Sequence, residues 1–326
     1  MIPMFAVYAT HAAPDDPLSA LRIGDMPEPN VPDGWVRVKV SHASLNRHDL
    51  FTLRGISGHP EGITYPMILG NDAVGTLDDG MPVVIYPMMG SDDWRGDETL
   101  DPKWHIPSEF IHGTFADYAV VPKRNAISLP NGLSPLHASV LGTAWLTAYR
   151  ALFTKSGLRA GETVLIQGAT GGMATALIQL GSAAGFEVWA TSRTEESRTK
   201  AKALGAHATF PPDQPVPRKV QAVVDSVGAA SWAHSVSSVA RGGVLVVVGG
   251  TTGFDVPLNL LPVVTDQITI TGSIMGTQHD MENLMNLIAQ AEIEPEIGAV
   301  LPLDQAREGF RAMWEGTTRG KTVFTR

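Results

Sequence analysis

A glycine-rich turn between an apolar run and a helix-like segment is the clearest chemical signal in this sequence. The turn reads Gly168-x-x-Gly171-x-x-Ala174, and it directly follows a strand-like apolar run at residues 164–166. A strand, a tight turn and a helix in this order bring backbone N–H groups and the positive end of the helix against a pyrophosphate. We therefore predict a dinucleotide site built from Gly168, Ala169, Thr170, Gly171, Gly172 and Met173.

The segment after the next predicted strand indicates which dinucleotide binds. A site for NAD places Asp or Glu there to accept a hydrogen bond from the ribose 2′-hydroxyl, whereas this chain has Ser192 and Arg193, with Arg198 further along. Because a cation pairs with a 2′-phosphate, these residues predict NADPH rather than NADH. Two structural alternatives stay open: Ser192 also fits the start of a capping box with Glu195, and Arg198 fits a solvated helix charge.

Composition bounds the remaining chemistry. The chain has 326 residues, of which 44% are hydrophobic and 17% charged, and this is enough for two globular domains. A net charge of −9 argues against a nucleic-acid partner. The chain has no cysteine, which excludes disulfides, thiolate nucleophiles and zinc sites built on sulfur. No apolar run approaches a membrane span and no signal peptide is evident, so we expect a cytoplasmic protein.

The elements that must position these residues fall into two regions. Residues 1–125 show short strand-like runs separated by Pro, Gly and Asp, which is typical of a β-barrel. A polar stretch at residues 91–99 interrupts this pattern as a surface excursion. From Pro135 onward helices and strands alternate, which predicts a doubly wound parallel sheet. The predicted helices cover 136–153, 195–204, 281–291 and 303–314, and the predicted strands cover 220–224, 244–248 and 268–274.

A series of short motifs spans nearly the whole chain. They are Ser44–Asp49, Tyr65-Pro66, Leu69–Gly75, Gly113–Tyr118, Leu146–Tyr149, the glycine-rich turn, Val224–Gly228, Gly242-Gly243, Gly249-Gly250 and Gly320-Lys321. In this order and spacing the chain resembles the medium-chain dehydrogenase/reductase superfamily, and within it the zinc-free, quinone-oxidoreductase-like branch.

The resemblance implies an α/β protein of two domains. A GroES-like β-barrel catalytic domain would cover residues 1–125 and 276–326, and a Rossmann NADPH-binding domain with a doubly wound parallel sheet would cover 126–275. The cofactor would lie in the cleft between them. Members of the superfamily commonly dimerise through the last Rossmann strand, here 268–274, so we expect a homodimer.

The resemblance also implies the site residues. Asn46, Asn71 and Thr143 stand where zinc-dependent members place metal ligands, and amides and hydroxyls are poor zinc ligands, so we expect no metal. Asp49 and Asp72 remain either as supports of that position or as purely structural groups. The residues expected to contact the cofactor, besides the glycine-rich turn and the predicted 2′-phosphate group, are Arg47, Thr143, Thr147, Ser226, Val227, Gly249, Gly250, Thr251, Ser273, Ile274, Met275 and Lys321.

This inventory predicts the reaction. Hydride addition to an activated double bond or a quinone moves charge onto a distant oxygen, and hydrogen-bond donors suffice to stabilise that oxygen. Asn46 and Asn71 are the expected donors, and His48 is the expected proton donor unless it is an exposed loop residue. Several enoyl-thioester reductases of the superfamily that this chain resembles carry a tyrosine shortly after the element that matches Arg54-Gly55. No tyrosine follows closely here, which weakens the case for a fatty enoyl-thioester and leaves His59 or Tyr65 as distant substitutes.

Two other functions stay open at this point. One is a zinc-independent carbonyl reductase or alcohol dehydrogenase, and the other is a non-catalytic NADPH-binding protein. The acceptor pocket would include Phe51, Leu53, Trp94 and Trp104.

Overall fold

The computed structural model describes residues 2–58 and 62–326, and within it the chain divides into two units. The first unit contains Met1–Ala144 and Gly276–Arg326, and the second contains Trp145–Met275. His59, named above as a substitute for the missing tyrosine, lies outside the described residues.

The first part of the first unit consists mainly of antiparallel strands, as its turn-rich sequence predicts. Its strands are β1 (Pro3–Ala9), β2 (Leu21–Pro27), β3 (Trp35–Ser44), β4 (Met67–Ile68), β5 (Asp72–Leu77), β6 (Pro82–Ile85), β7 (Tyr118–Pro122) and β8 (Ala126–Ser128). Its helices are α1 (Pro17–Ala20), α2 (Arg47–Arg54) and α3 (Pro135–Ala138). The long excursion between β6 and β7 contains a single 3₁₀ turn at Glu98–Leu100.

The predicted helix 136–153 is divided in the structure. After α3 come a π-helical turn at Leu141–Trp145, helix α4 (Leu146–Arg150) and a second π-helical turn at Ala151–Lys155. Such wide turns are rare and occur often at functional sites. The first unit extends to Ala144 rather than to residue 125, because α3 packs against β3 and β5 of the barrel.

The second unit is built on a parallel sheet. Its elements in chain order are β9 (Thr163–Gln167), α5 (Gly172–Ala183), β10 (Glu187–Thr191), α6 (Glu195–Ala203), β11 (Ala208–Phe210), β12 (Val220–Asp225), α7 (Trp232–Ser238), β13 (Val239–Val247), α8 (Leu260–Thr265) and β14 (Thr269–Gly272). The six strands are ordered β11-β10-β9-β12-β13-β14, and all their pairings are parallel. This order is that of a doubly wound dinucleotide-binding sheet, which confirms the predicted fold class.

The chain then returns to the first unit through α9 (Gln278–Gln290), β15 (Ile297–Pro302), α10 (Ala306–Trp314) and β16 (Lys321–Thr325). The larger sheet of this unit has the order β15-β16-β3-β5-β6-β8, with β7 also paired to β3. β16 pairs antiparallel with β3, so the C-terminal strand brings Lys321 to the end of β3. Within the described ranges, no helix is both long and apolar enough to cross a membrane.

The barrel core explains why the C-terminal segment is part of this unit. Phe310 of α10 and Phe324 of β16 stack with their ring centroids 6.4 Å apart, and Phe115 meets both rings edge-on. All three side chains are fully buried. Leu53 also belongs to this core, so it does not line an acceptor pocket as the sequence suggested.

Candidate active site and nucleotide-binding turn

Helix α2 begins in a tight polar turn that fixes Asn46 and Asp49. One carboxylate oxygen of Asp49 accepts a hydrogen bond from the backbone N–H of Asn46, and the other accepts one from Gly70, both at 2.8 Å. Burial raises the pKa of Asp49 to about 6, although both N–H groups favour the charged form. Of the two alternatives for Asp49, this geometry supports the structural one.

Asp72 lies at the centre of a second buried group of polar side chains. Its Oδ2 accepts hydrogen bonds from Asn46 Nδ2 and Ser44 Oγ at 2.8 Å each, and its Oδ1 accepts one from Thr143 Oγ1 at 2.5 Å. Asn46 Nδ2 also donates to the backbone oxygen of Ser44 at 3.2 Å. Both amide hydrogens of Asn46 are thereby engaged, so a bound oxyanion would have to displace one of these partners.

Lys321 completes this group from the C-terminal strand. Its ammonium donates to Asn46 Oδ1 at 2.5 Å and to the Leu45 carbonyl at 2.9 Å, and it lies 3.5 Å from Asp72 Oδ2. Only 3% of the residue is exposed, and this burial lowers the pKa of Lys321 against the attraction of Asp72 and Asp49. The sequence predicted that Lys321 contacts the cofactor, but in the structure its ammonium faces oxygens of its own unit.

His48 and Asn71 lie beside this group and hold different partners. His48 lies in α2 with 18% of its side chain exposed, and its Nε2 is 3.2 Å from Oε1 of Glu109. The distance is that of an ion pair, but the angle is not that of an aligned hydrogen bond. Asn71 donates through Nδ2 to the carbonyl of Pro107 at 2.6 Å, and its buried Oδ1 has no hydrogen-bond partner among the described residues.

Glu109 is the site residue that sequence reasoning missed. Only 2% of its side chain is exposed, and its Oε2 accepts a hydrogen bond from Ser57 Oγ at 3.1 Å. The interpretation of His48 as an exposed loop residue is wrong, because His48 is helical and lies against this carboxylate. Glu109 lies in a long excursion where an acidic residue is ordinary, so no sequence pattern indicated its contact with His48.

Two of the aromatic candidates of the first unit, Tyr65 and Trp94, have structural partners. Tyr65 donates its hydroxyl to the Thr52 carbonyl at 2.6 Å, and Trp94 donates its indole N–H to the Asp97 carbonyl at 2.9 Å.

Arg47, the first residue of α2, is exposed.

The glycine-rich turn of the second unit has free space beside its backbone, in contrast to the closely packed polar group around Asp72 in the first unit. Gly168 has a φ of +91°, which L side chains rarely adopt, and Gly171 caps α5. A Cβ added to Gly171 would meet nothing within 4 Å in the part of the chain that the structure describes. The first N–H groups of α5 have no acceptor within the helix, so this surface fits a pyrophosphate.

The two arginines that follow β10 differ in their surroundings. Arg193 is exposed, whereas Arg198 binds Glu195 and donates to the backbone carbonyl of Ser192 at 2.8 Å. Thr194 caps α6 by accepting from the N–H of Ser197, so the alternative of a cap at Ser192 is wrong. Arg198 therefore stabilises the turn that contains Ser192 and Arg193.

The other predicted cofactor residues of the second unit lie at the carboxyl end of the sheet. Thr251 donates through both its N–H and its hydroxyl to the Ser226 carbonyl, which joins the loops after β12 and β13. Ser273 donates its N–H to the Val247 carbonyl, and its hydroxyl is buried without a partner among residues 2–58 and 62–326. Thr147 Oγ1 lies 3.9 Å from the sulfur of Met275. The structure thus gathers these residues where open α/β sheets bind ligands, together with Val227, Gly249, Gly250 and Ile274.

Comparison with known proteins gives the family. Residues 32–131 match the alcohol dehydrogenase GroES-like domain and residues 172–290 match the zinc-binding dehydrogenase domain. An alcohol dehydrogenase of Geobacillus stearothermophilus is 30% identical over 332 residues, covering 94% of this chain and 95% of that protein. The chain belongs to the medium-chain dehydrogenase/reductase superfamily. It is therefore an oxidoreductase of this superfamily, which confirms the resemblance in the sequence.

Two further proteins are similar to this chain over nearly its whole length. An acryloyl-coenzyme A reductase of Sulfurisphaera tokodaii is 26% identical over 329 residues, covering 94% of this chain and 97% of that protein. The crystal structure of an NAD-dependent alcohol dehydrogenase superposes with a TM-score of 0.91 at 29% identity, covering 99% of this chain and all of that one.

The zinc named in the family description does not fit the residues present here. Asn46 Oδ1 accepts a hydrogen bond from the Lys321 ammonium, and Thr143 Oγ1 donates a hydrogen bond to Asp72. Zn²⁺ prefers thiolate, imidazole or carboxylate ligands. Within the described ranges, no group of three or more His, Cys, Asp or Glu side chains could hold a metal ion.

Proposed function

We propose that this superfamily member is an NADPH-dependent reductase of activated carbon–carbon double bonds or quinones that works without a metal. The observation that carries the proposal is the buried Lys321 ammonium bonded to Asn46 Oδ1, because Asn46 stands where the resemblance places a metal ligand and its side-chain oxygen is here bound to a protein cation. A chain without a Lewis acid there needs an acceptor that is already activated. An α,β-unsaturated carbonyl or a quinone meets that need.

The cofactor assignment rests on the second unit. Exposed Arg193 and neighbouring Ser192 suit a 2′-phosphate, and the turn Gly168–Gly172 suits a pyrophosphate. When bound, the nicotinamide supplies the hydride. We assign NADPH rather than NADH because no acidic side chain follows β10 before Arg193.

His48 is the proton donor in this proposal. Hydride addition to an enone leaves an enolate, and an imidazolium can return a proton to it and become neutral. Asn46 and Asn71 then act chiefly by shaping the site, since both amide hydrogens of Asn46 are engaged and Asn71 holds Pro107. The acryloyl-coenzyme A reductase relative supports double-bond reduction.

Carbonyl reduction is the second candidate, because the Geobacillus relative is an alcohol dehydrogenase. The deciding experiment measures NADPH and NADH oxidation by chelator-treated enzyme with a quinone, an enone, an acryloyl thioester and a saturated ketone. We expect turnover of the first three classes and the saturated carbonyl as the enone product. An allylic alcohol product, or activity restored only by Zn²⁺, would contradict the proposal, and cofactor binding without turnover would indicate a non-catalytic protein.

We also propose a homodimer formed through the second unit. β14 is an edge strand of the six-stranded sheet, and the adjacent α8 exposes Leu260, Leu261 and Val264 by 63%, 64% and 72%. Exposed apolar groups beside an unpaired strand edge favour pairing with another copy. Light scattering should give a dimer for the native chain and a monomer for Val264→Asp. Val300→Asp, at a similarly exposed valine of β15, is the matched control and should remain dimeric.

A further inference from the structure

A buried carboxylate faces the proposed proton donor. Glu109 is 2% exposed, and its Oε1 is 3.2 Å from His48 Nε2. A buried charge is expensive unless it is paired, so a carboxylate at this place needs a reason. The other carboxylate oxygen, Oε2, accepts a hydrogen bond from Ser57 Oγ at 3.1 Å.

The backbone just before Glu109 has an uncommon conformation. The preceding residue, Ser108, has a φ of +69°, a conformation that is uncommon outside glycine and that the surrounding structure must enforce. Thr52 enforces it, since its hydroxyl lies 2.9 Å from Ser108 Oγ and 3.2 Å from the Ser108 carbonyl. Thr52 lies one helical turn after His48 on α2, so one helix holds both the imidazole and the strained turn.

Asn71 anchors the same turn from the other side. Its Nδ2 donates to the Pro107 carbonyl at 2.6 Å, so the two residues that precede Glu109, Pro107 and Ser108, are each held by a side chain. Strained, fully buried backbone of this kind is concentrated at functional sites. The strain, its two anchors and the carboxylate together point to one purpose, which is to orient His48.

We infer that Glu109 is a positioning residue: its carboxylate lies 3.2 Å from His48 Nε2 without an aligned hydrogen bond, and its negative charge keeps the proton of neutral His48 on Nε2, so that Nδ1 gives up its proton to the reduced acceptor. The step balances: the imidazolium loses its Nδ1 proton to the enolate, the imidazole remains protonated on Nε2, and Glu109 stays ionised. This inference rests on the proposed role of His48. Its structural part, the tautomer of His48, is measurable without any turnover.

The first test is spectroscopic. In ¹⁵N-histidine-labelled protein, with the His48 signal identified by its loss in His48→Gln, long-range ¹H–¹⁵N correlations should show the Nε2–H tautomer. Glu109→Gln is nearly isosteric but can donate its amide to Nε2, so the tautomer should shift to Nδ1–H. Glu98→Gln, at another glutamate of the same excursion, is the matched control and should leave the His48 signal unchanged.

The second test is kinetic, with an acceptor that the native enzyme reduces. Glu109→Gln should lower kcat about 100-fold with little change in KM, because a wrongly oriented or wrongly protonated imidazole fails in proton transfer. Ser57→Ala should lower kcat by a smaller factor. In a His48→Gln background Glu109→Gln should have no further effect, because Glu109 acts only through His48.

Two results would overturn the inference. One is an Nε2–H tautomer that survives Glu109→Gln, and the other is an equal loss of kcat in the presence and absence of His48. Failure of the proposed reaction would appear differently, as a native enzyme that reduces no acceptor while its His48 tautomer still responds to Glu109.

Discussion

The polar group around Asp72 in the first unit and the glycine-rich turn in the second differ in how their polar atoms are satisfied. In the first unit, Asn46, Asp72 and Lys321 satisfy one another in a buried group that leaves little room for another ligand. In the second unit, a Cβ added at Gly171 would meet no described atom within 4 Å, and the first N–H groups of α5 have no acceptor within the helix. The first region is held together by an internal cation, whereas the second leaves space beside its backbone.

The difference has a plain physical origin. A buried carboxylate and amide must find partners within the protein, because unpaired polar groups in a core are costly. A helix N-terminus at the surface can leave its N–H groups to water until an anion arrives. Substitutions in the first region should therefore act on stability, and those in the second on cofactor affinity.

The largest effect should come from Lys321→Met. It removes the ammonium while keeping similar bulk, which leaves Asp72 and Asn46 Oδ1 without their cation. We expect a loss of about 3–5 kcal/mol in the free energy of unfolding of the first unit, measured by denaturant titration. Lys39→Met, at an exposed lysine of β3, should change it by less than about 0.5 kcal/mol. Equal effects of the two variants would show that the ammonium is dispensable.

A smaller effect, confined to binding, is expected for Arg193→Glu. Replacing the exposed cation by an anion should weaken NADPH about 100-fold, or about 3 kcal/mol, while NADH affinity stays within a few-fold. Fluorescence titration of the reduced cofactors measures both Kd values. Lys202→Glu, at an exposed position of α6, controls for the change in net charge and should preserve the preference. Parallel losses for both cofactors would refute the assigned 2′-phosphate site.

The smallest expected change in stability is that of Gly171→Ala. Its φ of −75° suits alanine and a Cβ would meet no described atom within 4 Å, so the unfolding free energy should change by less than about 0.5 kcal/mol. The added methyl group would nevertheless stand where a pyrophosphate approaches, so NADPH affinity should fall at least about tenfold. Thermal unfolding with and without NADPH separates the two quantities, and unchanged affinity would place the pyrophosphate elsewhere.

Local patterns were sufficient for the second unit and insufficient for the first. The turn at Gly168, the helix after it and Arg193 are close in sequence, so spacing alone predicts the order of strand, turn, helix and strand that the structure has there. The alternative of Ser192 as a cap is wrong because Thr194 caps the same helix end, and both residue types cap well. The helix at 136–153 was predicted as one element because π-helical turns carry no distinct pattern.

By itself the sequence determined the superfamily, the doubly wound sheet, the order of the nucleotide-binding elements and the lack of thiolate chemistry. These follow from residue types and short spacings, which do not depend on the tertiary structure. Only the tertiary structure decided that Lys321 bonds to Asn46, 275 positions away along the chain, and that Glu109 faces His48. Partners so distant in sequence meet because β16 pairs with β3 and because Thr52 and Asn71 fix the turn at Ser108.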